Sequence, residues 1–131
     1  MVAQLALLAN GWTIHESRTV EAYDILGKDP VNGEYAKIQV KTIMRRKEHP
    51  DKFVVHAKKG NGTAYDRSEA DYIIGVWAAD GEPPRVYMFE NRMIGEYWCS
   101  EAKASERWVE LPIALNRQLQ VLDAVTAEVA S

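Results

Sequence analysis

The stretch Ala22-Tyr23-Asp24-Ile25-Leu26-Gly27, followed after a polar turn by Ala36-Lys37-Ile38-Gln39-Val40-Lys41-Thr42-Ile43, decides the fold. It reads as two short strands joined by the loop 28–34, which carries Pro30 and the hairpin-forming pair Asn32-Gly33. Side chains two apart on a strand share a face. Gln39 and Lys41 therefore point one way, and Ile38 and Val40 the other. An amide and an ammonium inside an apolar strand are costly unless they find partners or face a cleft. The hairpin also brings Asp24, on the first strand, together with Lys41, since paired strands lie about 4.8 Å apart.

Outward from the hairpin, the chain reads as helix, strands, helix. Residues 2–10 form the back half of a helix, with Val2, Leu5, Ala6 and Ala9 at helical spacing, and Asn10-Gly11 stops it. A short strand is expected over 12–15, and further strands over 53–57, 70–78 and 85–90. The last two are separated by Asp80-Gly81 and Pro83-Pro84 and form a second hairpin. Residues 91–110 carry no clear period. A closing helix is expected over 113–129, with Leu115, Leu119, Leu122, Val125 and Val129 on one face. This order describes an α+β domain: a central mixed, mostly antiparallel sheet with an N-terminal and a C-terminal helix.

Length and composition fit one domain spanning 1–131. At 131 residues it can bury one modest core. Hydrophobic residues make up 47% of the chain, enough for a globular core. The single cysteine, Cys99, excludes a disulfide within the chain and argues against a cysteine-based zinc site. No apolar run is long enough to span a bilayer, and the start has no basic export signature, so the expected location is the cytoplasm. Net charge is −3, which argues against a nucleic-acid coat. The charge is uneven, though. Residues 41–59 carry seven basic side chains against two acidic ones, either a patch for phosphates or a solvated loop.

There is no phosphate-binding glycine loop and no dinucleotide fingerprint, and His15, His49 and His56 have no metal-ligand spacing. Asp24, Gln39 and Lys41 remain. Asp24 gives Mg²⁺ a hard carboxylate oxygen. The Gln39 amide oxygen and the Val40 backbone carbonyl add neutral ligands, as magnesium accepts. Lys41 then holds the attacking water and stabilises charge on phosphorus. The plainer alternative is a polar strand face on which Asp24 and Lys41 form a cross-strand ion pair worth under about 1 kcal/mol.

The residues Leu8-Ala9-Asn10-Gly11-Trp12, Tyr23-Asp24-Ile25-Leu26 and Lys37-Ile38-Gln39-Val40-Lys41-Thr42 resemble the PD-(D/E)xK nuclease superfamily. The branch most similar includes archaeal Holliday-junction resolvases and small homing endonucleases. There a glycine-ended helix is followed by a strand, a Tyr-Asp strand and an Ile-Gln-Val-Lys-Thr strand. The resemblance covers roughly 3–90, which it implies is the core, with a C-terminal helical extension at about 91–131. It implies a restriction-endonuclease-type α/β/α core and a Mg²⁺- (or Mn²⁺-) dependent DNA endonuclease. Asp24, Gln39 and Lys41 are then the catalytic set, and Asp24, Gln39 and the Val40 carbonyl hold the metal. Arg45, Arg46, Lys58, Lys59 and Tyr65 are the expected DNA contacts. The implied partners are DNA and further copies of the chain in a homodimer or larger homo-oligomer, with no membrane. The family's first-helix glutamate has no counterpart here; the nearest polar helix residue is Gln4. Either Glu16, Glu21 or Glu34 replaces it, or the metal is held weakly, or the domain binds DNA or protein without cutting.

Overall fold

The structure, a computed structural model, describes residues 2–16 and 24–113. Helix α1 (Val2–Ala9) buries Ala3, Ala6 and Leu7, three positions one helical turn apart, and leaves Leu5 and Leu8 outside. Gly11, at φ +88°, closes it: the left-handed residue lets the Trp12 N–H turn back to the Leu7 carbonyl at 3.0 Å. Eight strands follow: β1 (Thr13–Glu16), β2 (Ile25–Lys28), β3 (Tyr35–Arg45), β4 (Lys52–His56), β5 (Tyr72–Trp77), β6 (Arg85–Glu90), β7 (Glu96–Ser100) and β8 (Val109–Glu110). The expected β2–β3 turn forms, with Gly33 at φ +72° and the Asn32 side chain accepting the Glu34 N–H at 2.8 Å.

The strand order is β1-β2-β3-β5-β6-β8, and an arm of β4 and β7 branches from the end of β3. Among the described residues only β3 and β5 run parallel, with Lys41 in register with Gly75; the other pairings are antiparallel. The fold is therefore α+β around a mixed, mostly antiparallel sheet.

Strict alternation along β5 and β6 divides the interior in two. Ile74, Val86 and Met88 face α1 together with Ile25 and Ile38. Ile73, Tyr87 and Phe89 face the other way, against Phe53, Val55, Tyr97 and Cys99 of the β4–β7 arm. The arm folds back over the main sheet so closely that a β-carbon on Gly75 would lie 2.8 Å from Ile43 Cγ1 and 3.1 Å from Val55 Cγ2. Gly75→Val should thus overpack this layer and cost about 2 kcal/mol. Urea denaturation would read the loss as a lower midpoint at unchanged slope.

The C-terminal expectation needs correction. Residues 91–113 are not helical extension: β7 pairs with β4 over five positions, a 3-10 turn (Glu101–Lys103) and a single helical turn, α2 (Ala104–Arg107), follow, and β8 joins the main sheet beside β6. Ala104, Trp108 and Leu111 are buried in the two cores, so the core of the domain extends past residue 90. The strand signal of β7 was hidden because its outward residue Trp98 is apolar yet 50% exposed, which erases the alternation. The helix expected over 113–129 lies outside the described residues. No helix among the described residues is long and apolar enough to cross a membrane.

Candidate metal and nucleic-acid site

Among the described residues, the edge of β3 that faces β2 is open in its middle. β2 pairs with it up to Ile25 opposite Ile38, and β4 takes over only at Val55 opposite Ile43. Between them one described group stands, Asp24, just before β2. Its N–H donates to the Ile38 carbonyl at 3.0 Å, and its Oδ2 accepts the Val40 N–H at 3.0 Å. The carboxylate stands where a ladder carbonyl would otherwise be. In a strand, N–H and C=O of one residue point to the same edge, so the Val40 carbonyl opens into this gap.

Gln39 and Lys41 flank that opening, on the strand face predicted. Gln39 is 8% exposed, and its Nε2 donates to Asp24 Oδ2 at 2.9 Å. Its Oε1 is buried with no hydrogen-bond partner among the described residues. Such an orphaned acceptor costs about 1–3 kcal/mol. The Lys41 ammonium lies 5.2 Å from the centroid of the Tyr65 ring and donates to the Lys58 carbonyl at 3.4 Å. Asp24, Gln39 and Val40 are thus brought together by hydrogen bonds the sequence did not specify, and Lys41 follows on the same strand.

The donor set fits a hard divalent cation: a carboxylate, a neutral amide oxygen lacking a partner, and a main-chain carbonyl. It holds one carboxylate, and no group of three or more His, Cys, Asp or Glu side chains occurs among the described residues. Glu34 does not complete it. Its carbonyl accepts the Asp29 N–H at the turn, five residues from Gln39, about 16 Å away along an extended strand. Glu16 ends β1 in register with Ile25, the neighbour of Asp24. Glu21 lies outside the described residues.

Three of the seven bases of the run 41–59 are ion-paired in the fold. Arg45 donates to Glu101 Oε2 at 2.7 Å, and its guanidinium lies 4.6 Å from the Trp77 ring. This hydrogen bond holds the Glu101 carboxyl below the usual carboxylate range. Arg46 is paired with Glu96, and Lys59 with both oxygens of Glu69 at 2.9 Å. The hydrogen bond from Lys59 to Glu69 raises the Lys59 pKa. Three of the four basic residues expected to contact phosphates are therefore engaged with carboxylates, and the fourth, Lys58, is exposed with no ion-pair partner among the described residues. Tyr65 is not a surface residue; at 6% exposure it belongs to the core beneath Lys41.

Sequence reading missed Asn91. It is 1% exposed, and its Nδ2 donates to the carbonyls of Tyr65 and Asp66 at 3.0 Å and of Ala70 at 2.8 Å. A lone asparagine after a strand gives no advance sign of this.

The layered sheet, the open edge of β3 and its polar cluster can be set beside known proteins. The fold is similar to that of a bacterial homing endonuclease. The solved structure of that enzyme, I-Ssp6803I, superposes with a TM-score of 0.59 over 76% of this chain and 71% of its own, at 19% sequence identity. No protein-family model matches the chain, and no curated protein sequence matches it.

Proposed function

We propose that the chain is a metal-dependent DNA endonuclease of the PD-(D/E)xK type. The observation that carries this reading is the buried, partnerless Oε1 of Gln39 beside the Asp24 carboxylate, at the gap that exposes the Val40 carbonyl. The likeness to a homing endonuclease supports it. Asp24, Gln39 and the Val40 carbonyl would hold Mg²⁺ or Mn²⁺. Bound there, the ion supplies Lewis-acid polarisation of a phosphate oxygen and a more acidic water.

The chain's own groups do the rest. Asp24 carries the negative charge that draws the cation to the gap, and its bonds to Gln39 and Val40 fix its orientation. Lys41 places a positive charge on the Gln39 side of β3, where it favours the negative charge that builds on phosphorus during displacement. Lys58 is exposed beside it for backbone phosphates. Arg45, Arg46 and Lys59 contact DNA only by exchanging a carboxylate for a phosphate. Cutting both strands requires two copies of the site, so a homodimer or larger assembly is expected, acting on duplex or branched DNA.

A second reading is a nuclease-fold module that binds DNA or protein without turnover. The single carboxylate at the site among the described residues and the ion pairs that engage Arg45, Arg46 and Lys59 favour it. Supercoiled and four-way-junction DNA incubated with Mg²⁺, with Mn²⁺ or with chelator separate the two. The endonuclease reading expects divalent-dependent nicking that Asp24→Ala abolishes. Binding unaffected by chelator, with no product from the wild type, would select the binding module.

A further inference from the structure

The Lys41 ammonium has two neighbours that fix it, and neither is a carboxylate: the Lys58 carbonyl and the face of the Tyr65 ring. A lysine side chain on an open strand edge samples several rotamers. An aromatic face beneath the ammonium restricts that sampling, since the ring quadrupole attracts the cation. Tyr65 cannot easily move away. Its main chain is held by the buried Asn91 amide, which gathers the Tyr65, Asp66 and Ala70 carbonyls into one turn. Asn91 is itself clamped: its Oδ1 accepts the Met93 N–H at 3.0 Å and the Tyr97 hydroxyl at 3.3 Å, and the same hydroxyl accepts the Arg92 N–H at 2.9 Å. Met93 takes φ +59° to reach that bond, a conformation uncommon outside glycine. A continuous set of contacts thus runs from the β6–β7 turn to the Lys41 ammonium.

We infer that Tyr65 is a positioning residue for Lys41: its ring, anchored through Asn91, holds the ammonium at the open edge of β3. This rests on the endonuclease reading for its kinetic consequence, but not for its geometric one. The side chain thereby acquires a role different from the DNA contact expected of it.

The test compares Tyr65→Phe, which keeps the ring, with Tyr65→Leu, which removes it. Proton–carbon NMR of the full chain, with the Lys41 signals assigned by their loss in Lys41→Arg, reads the contact directly. Ring-current upfield shifts of the Lys41 side-chain methylenes are expected in wild type and Tyr65→Phe and are expected to vanish in Tyr65→Leu. Unshifted methylenes in the wild type would overturn the inference, whether or not the protein cuts DNA. For turnover, Tyr65→Leu should lower kcat about tenfold with little change in KM, and Tyr65→Phe should restore most of it. An equal loss in both variants would point to the hydroxyl and overturn the role of the ring. A full kcat in a folded Tyr65→Leu would do the same. If the wild type makes no product under any divalent condition, the endonuclease reading fails, and the methylene shifts alone decide the positioning role.

Discussion

Lys41→Met should lower DNA cleavage about a thousandfold while leaving the fold and the divalent-ion affinity intact. The substitution keeps an unbranched apolar stem along Tyr65 and removes only the ammonium. Nothing in the fold relies on that charge for stability: its neighbours are an aromatic ring and a carbonyl at 3.4 Å, a long contact. The groups proposed to hold the metal are Asp24, Gln39 and Val40, whereas the Lys41 ammonium hydrogen-bonds to the Lys58 carbonyl. Loss of the ammonium therefore removes stabilisation that matters when charge develops on phosphorus, and little of the ground state. Single-turnover cleavage should fall with kcat, and calorimetric Mn²⁺ binding should be unchanged. A variant that cleaves within a few-fold of the wild type would remove Lys41 from the chemistry. A variant that also loses the metal would show that the lysine builds the site instead.

The shared face of Gln39 and Lys41 on β3 was legible in the sequence for a physical reason. Strand alternation is a local property, so Gln39 and Lys41 could be placed on one face and Ile38 and Val40 on the other without further knowledge. The Asn32-Gly33 turn set the hairpin and brought Asp24 opposite Gln39. Gly11 likewise marked the end of α1 through a purely local backbone demand. What failed depends on partners distant in the chain. A sum of charges over 41–59 counts neighbours along the sequence, but Arg45 meets Glu101 and Arg46 meets Glu96, both delivered by strand β7 and the turn after it. Since β7 was itself unread, its acids could not be subtracted from the patch. Tyr65 failed in the same way. Its burial depends on Asn91, 26 residues away. The parallel pairing of β3 with β5 was also invisible in detail, because no turn specifies its register.

Gln39→Glu should make stability depend on divalent ions far more steeply than in the wild type. In the native site the Gln39 amide donates to Asp24 Oδ2 at 2.9 Å. A carboxylate in its place cannot donate, and it would set two negative charges against each other in a partly buried gap. One of them must then be protonated or displaced, as in other close carboxylate pairs. The metal-free variant is expected to lose about 1–2 kcal/mol, roughly 4–8 °C in Tm for a chain of this size. Divalent cations reverse the sign, because the substitution doubles the anionic ligands at the gap. Any ion bound only by the folded state stabilises it by RT ln(1 + [L]/Kd), so a lower Kd yields a larger gain at the same Mg²⁺ concentration. Thermal melts with and without millimolar Mg²⁺ should therefore show a larger ion-induced rise in the variant than in the wild type. Adding Asp24→Asn to the variant should remove much of the extra rise, since one of the paired charges is then gone. A Gln39→Glu protein that melts at the same temperature with and without Mg²⁺ or Mn²⁺ would mean that the amide and the Asp24 carboxylate do not share a cation. The orphaned Oε1 would then need water as its partner, and the binding-module reading would gain.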